Sequence, residues 1–258
     1  FPDYLVCVRE ADVRAAEQDA LLEILAGGLP MKILLQTDDL LGEPIARAGH
    51  AAAGAHSRQL AHMAMGLNNV HVLQASAAQL AAQRERLLQA MRCPGAALIS
   101  VFSGASGHAG ALPPYLVAAA ATESRAFPSF NYDPAAGPDW ASRFSLEGNP
   151  QPDSDWPVES FEYADEAMQR VTEQVAFTVV DFVACDRRYA RHFARVPRAN
   201  WNANLVPVDE WLARDPKDVG ERVPCVLVVD EGDVLHKLVV DAKLMQAARR
   251  SREIWHRL

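Results

Sequence analysis

Apolar residues in this chain fall in short unbroken runs separated by stretches with helical spacing, and that alternation predicts the fold class. Tyr4–Val8, Met31–Leu35 and Ala96–Phe102 are apolar rather than alternating runs, and Val70–Leu73 reads as a strand interrupted by His71. Strands buried on both faces of a parallel sheet have this pattern. Phe127–Tyr132 reads as a further strand. Asp12 is placed to cap a helix whose apolar residues Ala16, Ala20, Leu21, Ile24 and Leu25 share one face, and Gly27-Gly28 ends it. Ser57 opens a helix to Gly66, Ser76 one to Met91, and Leu112–Ser124 forms another. Repeated strand–helix alternation predicts an α/β domain with a mainly parallel sheet and helices on both faces.

From Asp133 to Pro157 the chain changes character. Five prolines and two glycines (Gly137, Gly148) predict an extended crossing, and Tyr132, Trp140, Phe144 and Trp156 predict that it packs onto the body. Val171, Val175, Val179 and Phe182 then recur at helical spacing, predicting one long helix from Ala164 to Cys185. VPCVLVV (223–229), a turn at 230–233 and VLHKLVV (234–240) predict a hairpin, and Asp241 caps a basic helix ending near Leu258. The expected organisation is an α/β domain over 1–157 and a small helical and β-hairpin (α+β) extension over 158–258.

Composition narrows the function classes. Half of the 258 residues are hydrophobic, ample for a core, and the net charge of −8 argues against non-specific nucleic-acid binding. The longest apolar candidate, PPYLVAAAATES, is short of the ~18 residues of a membrane span. The sequence starts at Phe1 without a signal-peptide pattern, which is expected of a fragment of a longer cytoplasmic protein. Cys7, Cys93, Cys185 and Cys225 are scattered without CxxC spacing and are expected to be reduced and mostly buried. No HisxxxHis with a neighbouring carboxylate marks a zinc protease. Met63 and Met65 read as core packing. Arg249-Arg250-Ser-Arg252 reads as complementing a helix C-terminus, with an acidic partner as the alternative.

Four segments in order carry a family likeness: SRQLAHMAMGLNNVHV (57–72), ALISVFSGASGHAG (97–110), TESRAFPSFNYDP (122–134) and SRFSLEGNPQPDSDWP (142–157). Together they resemble the thiamine-diphosphate domain of pyruvate:ferredoxin oxidoreductases and other 2-oxoacid:acceptor oxidoreductases. The resemblance covers about the first three-fifths of the chain. It implies a thiamine-diphosphate-binding-like sheet in an enzyme that oxidatively decarboxylates a 2-oxoacid and passes electrons to iron–sulfur clusters. Those clusters must lie on other domains or subunits, because this chain lacks their ligands. Other domains of the same enzyme, or further copies of the chain, are the expected partners.

The resemblance also places a site. The family holds Mg and the cofactor diphosphate through a Gly-Asp-Gly after one strand and an Asn after the next. Those slots fall here on Arg9-Glu10-Ala11 and near Gly42. Glu10 remains as a carboxylate for the metal, Thr37 survives at the second strand end, and Ser103 and His108 match the loop lining the family's active-site region. Arg9 and Ala11 put side chains where backbone must approach a diphosphate. The expected cofactor contacts are therefore Glu10, Thr37, Ser103 and His108, in a degenerate site. Two alternatives stand: a Ser103–His108 nucleophilic pair, which lacks a G-x-S-x-G elbow, and a non-catalytic assembly module that keeps the fold.

Overall fold

The structure, a computed structural model, describes residues 4–13, 15–41, 55–165, 167–215, 220–230, 232 and 234–258. Its first part runs β1 (Tyr4–Arg9), α1 (Ala15–Ala26), β2 (Met31–Thr37), α2 (Ala55–Gly66), β3 (His71–Ser76), α3 (Arg84–Arg92), β4 (Ala97–Phe102), α4 (Pro114–Glu123) and β5 (Phe130–Tyr132). After these come the short α5 (Trp140–Arg143) and β6 (Phe144–Ser145). The strands form one sheet in the order β1-β2-β4-β3-β5-β6. β1, β2, β4 and β3 are mutually parallel, whereas β5 and β6 are antiparallel additions at one side.

The apolar runs are continuous because the central strands have no wet face. Every residue of β3 and β4 is buried. On one face Ile33, Leu35 and Leu98 pack with Leu25 of α1 and Leu60, Ala61, Ala64 and Met65 of α2. On the other, Leu73, Ala97, Ile99 and Val101 pack with Ala90 of α3. Helices therefore cover both faces, as the run pattern predicts. Several details differ from expectation. Asp12 lies in the 3-10 turn after β1 and α1 starts at Ala15, and α2 starts at Ala55, ahead of Ser57. Ser76 makes no side-chain cap and α3 starts only at Arg84. Met63 is exposed, while its neighbour Met65 is buried.

The chain from 158 onward departs further. No helix spans Ala164 to Cys185: β7 (Val158–Ala164) and β8 (Arg170–Ala176) form an antiparallel hairpin, and only α6 (Val179–Ala184) is helical. β-branched Val171, Thr172 and Val175 favour the strand. Thr178 stops it by forming a capping box with Asp181 at the start of α6. Next come β9 (Phe193–Val196), β10 (Leu205–Pro207), α7 (Val208–Ala213), β11 (Val223–Val229), β12 (Leu235–Val240) and α8 (Ala242–Trp255). The predicted hairpin β11–β12 sits inside a four-stranded sheet, β10-β11-β12-β9. Asp241 caps α8, its Oδ1 accepting from Leu244 N at 2.9 Å.

One core joins the two parts of the chain. Phe102, Val117, Ala121, Phe127 and Trp156 pack in a single cluster with Phe182, Tyr189, Leu212, Val226 and Leu244. Arg125 fastens the Pro-rich crossing to it. Only 1% exposed, its guanidinium donates to the carbonyls of Pro150 (2.7 Å), Gln151 (2.9 Å) and Ser154 (3.3 Å) and lies 4.0 Å from the Trp255 ring. Asn149 bonds both backbone groups of Ser129, accepting from N at 2.8 Å and donating to O at 2.6 Å. The crossing thus packs down, as its aromatic residues predict. Among the described residues no helix is long and apolar enough to cross a membrane.

Candidate functional site

The carboxyl ends of β1, β2 and β4 lie side by side. Register pairs Arg9 with Gln36, and Thr37 with Phe102. Glu10, which opens a single 3-10 turn after β1, Thr37 at the end of β2 and Ser103 just past β4 therefore share one edge. Ser103 N donates to the Thr37 carbonyl at 2.9 Å. The Thr37 side chain is buried, and its hydroxyl has no hydrogen-bond partner among the described residues. Gly42, the slot for the family's Asn, lies outside the described residues.

Asp38 organises this edge. Its Oδ1 accepts from Ser103 Oγ at 2.5 Å and from Gln36 Nε2 at 2.8 Å. The Ser103 hydroxyl and then the Gln36 amide hold its carboxyl below the usual range, helped by Arg9. A Ser103 hydroxyl donating to Asp38 is already committed, and no hydrogen bond joins it to His108.

The loop after β4 is glycine-rich for a steric reason. Gly104 has φ +73°, and a Cβ there would sit 2.1 Å from the Pro114 carbonyl oxygen at the start of α4. The loop spends two of its N–H groups internally, Ala105 N donating to Ser103 Oγ (3.1 Å) and His108 N to Ser106 Oγ (3.3 Å). Exposed His108 is turned toward the second part of the chain, its carbonyl accepting from Arg187 N at 3.3 Å. The structure thus brings Glu10, Thr37 and Ser103 to one edge, while exposed His108 lies further along the loop, against the Arg187 backbone.

What covers this edge comes from far along the sequence. Arg188 lies in a 3-10 stretch, Arg187–His192, between α6 and β9. Its guanidinium grips Asp39 in a two-point contact (2.6 and 2.8 Å) and Asp186 through Nε and Nη2 (3.0 and 2.6 Å). The Asp39 contact first, then Asp186, drives its pKa up. Tyr189 OH donates to the Leu41 carbonyl at 2.8 Å. Leu40, Leu41, Phe102, Val117, Phe182 and Cys185 close around a remaining cavity of about 20 Å³.

The cavity beside Asp39 and Asp186 is small. About 20 Å³ is room for one water, whereas small-molecule sites run to several hundred Å³. Asp38 and Asp39 are engaged by Ser103 and Arg188 rather than offered to a metal. As they stand, these two carboxylates and the Ser103 hydroxyl are engaged with one another and with Arg188 and do not offer the open ligands that the Mg of a thiamine diphosphate needs. Among the described residues no group of three or more His, Cys, Asp or Glu is arranged to hold a metal. Of the four free cysteines only Cys225 is buried; Cys93 and Cys185 are partly exposed and Cys7 is exposed, contrary to the expectation that most are buried.

No family model matches the chain, and no curated protein matches it. Arg188 and Tyr189 are absent from the sequence-derived site. Their signal was the polar run DRRYARH (186–192), but nothing local ties it to a strand end 149 residues earlier.

Proposed function

We propose that this chain is a structural module of a 2-oxoacid:acceptor oxidoreductase type of assembly, keeping an α/β fold like that of the thiamine-diphosphate domain while its cofactor crevice is closed by its own C-terminal part. The observation that carries the reading is the clamp of Arg188 and Tyr189 on the segment that follows β2, which engages Asp39 and the Leu41 carbonyl and leaves a cavity of only about 20 Å³ beside Phe102. Two sequence features support it. Arg9 and Ala11 occupy the slots of the glycines that let backbone approach a diphosphate. Asp38, beside them, is turned inward onto Ser103. Decarboxylation and electron transfer then belong to other domains or subunits, and this chain contributes a rigid body on which they assemble.

Calorimetric titration of the intact protein with thiamine diphosphate and magnesium tests the reading. The expected result is no saturable heat at millimolar cofactor, a regime weaker than about −4 kcal/mol. Magnesium-dependent binding in the micromolar range overturns it and makes a catalytic domain the better account.

A further inference from the structure

A second concavity lies away from the closed edge, between α7 and α8 at the start of β11, and encloses about 320 Å³. Val223, Pro224, Val240 and Met245 give it apolar walls; Trp211 and Arg249 give it donors. Arg222 also lines it, and among the described residues no Asp or Glu does. The Arg249 guanidinium lies over the Trp211 ring at 5.4 Å. Arg249 Nη2 and Trp211 Nε1 are both shielded from solvent with no hydrogen-bond acceptor among the described residues. Buried donors are almost always paired, and here two of them, from different helices, lie in side chains that line one groove. An acceptor with negative charge is what both lack.

We propose that this groove binds a small organic carboxylate with a short apolar body. The carboxylate accepts from Arg249 and Trp211, and the body lies against Met245 and Val240. A carboxylate matches the planar guanidinium fork. The volume is at the small end of ligand sites, which suits a ligand of this size rather than a dinucleotide. An inorganic anion satisfies the donors but leaves the apolar walls uncovered, so the two chemistries separate by experiment. Since both orphan atoms are shielded, binding slides the guanidinium across the Trp211 face, and indole fluorescence reports it.

The test is fluorescence and calorimetric titration of the intact protein with benzoate and with 2-oxoisovalerate, and with phosphate as the apolar-free control. Saturable carboxylate binding is expected at about 1 mM or tighter, with no phosphate binding at the same concentration and the fluorescence change lost in Trp211→Phe. Arg249→Met is expected to weaken binding at least about tenfold, by loss of a charge-assisted hydrogen bond. Gln246→Glu alters an exposed lining residue and puts a carboxylate beside the groove without threatening the fold. It is expected to weaken binding several-fold and decides the matter if Arg249→Met does not fold. The proposal is overturned if neither carboxylate binds at about ten times that concentration, if phosphate binds equally well, or if Gln246→Glu binds like the parent protein.

Discussion

Arg125 shows how a residue inside a family-like motif serves the fold. It sits at φ +60°, a conformation that favours glycine or asparagine, and its buried side chain gathers three carbonyls of the crossing under the Trp255 ring. Burial pulls its pKa down to about 10, still charged at neutral pH. Lysine keeps the charge but not the planar fork. Arg125→Lys is expected to cost about 2 kcal/mol and Arg125→Met about 3 kcal/mol or more, since the latter also leaves carbonyls unpaired. Urea denaturation of each variant checks the order; equal loss from both would mean that a positive charge without the fork contributes nothing. Asp181 makes a pH-dependent counterpart. Burial pushes its carboxyl up to about 6, so the folded protein holds this proton more tightly than the unfolded chain, where a carboxyl titrates near 3.9. Its ionisation therefore subtracts stability: not at all below about pH 4, fully above about pH 6. Asp181→Asn keeps an acceptor for the Thr178 N–H and removes the charge. It is expected to be more stable than the parent by about 1–3 kcal/mol at pH 7–8, the gain fading to nothing by pH 4. A gain that instead grows toward acid reverses the sign of this argument.

At the scale of elements, the parallel strands were legible where burial on both faces selects apolar residues: β4 is apolar but for Ser100 and β2 carries Ile33, Leu34 and Leu35 together, whereas the equally buried β3 shows only Val72 and Leu73 between His71 and Gln74. The span from Ala164 to Cys185 was misread because Val171, Val175, Val179 and Phe182 satisfy helical spacing while 171 and 175 also lie on one side of a strand. Period alone does not separate the two when the apolar residues are sparse. β9 and β10 are four and three residues long and carry no periodic signal at that length. The loop from β4 to α4 was legible as glycine-rich, but its cause is packing rather than anion binding. Gly104→Ala is expected to destabilise by about 2 kcal/mol or more, because its Cβ meets the Pro114 carbonyl at 2.1 Å and φ is +73°. Gly107→Ala, also at positive φ but with nothing within 4 Å, isolates the conformational part and should cost about 1 kcal/mol. Thermal melts of the two variants separate clash from conformation, and similar losses would refute the packing account.

For the whole molecule, the candidate edge was half legible. Glu10, Thr37 and Ser103 follow strands that the run pattern places in parallel, and parallel strands present their carboxyl ends together. Its closure was not legible, because Arg188 meets Asp39 only after the second sheet has folded against the first. That clamp joins an Asp39 that is one-third exposed to an Asp186 that is nearly buried. Removing only the cation leaves two carboxylates facing each other across a poorly solvated gap, and breaking such a partly buried network costs about 2–4 kcal/mol. Arg188→Met is expected to lose that much, and Arg188→Met with Asp39→Asn and Asp186→Asn to regain most of it, because the repulsion goes with the charges. Cooperativity reports the clamp's larger role. Three of the five tryptophans, Trp201, Trp211 and Trp255, lie in the second part of the chain and Trp156 packs in the shared core, so fluorescence weights that part, whereas the parallel sheet dominates the first. In the parent protein, tryptophan fluorescence and far-ultraviolet circular dichroism should give one coincident unfolding transition, as one shared core requires. In Arg188→Met the fluorescence transition should come first, at lower urea. Coincident transitions in that variant would show that the apolar cluster around Phe102, Phe182 and Tyr189 couples the two parts without help from the ion network, and that the crevice stays closed by packing alone.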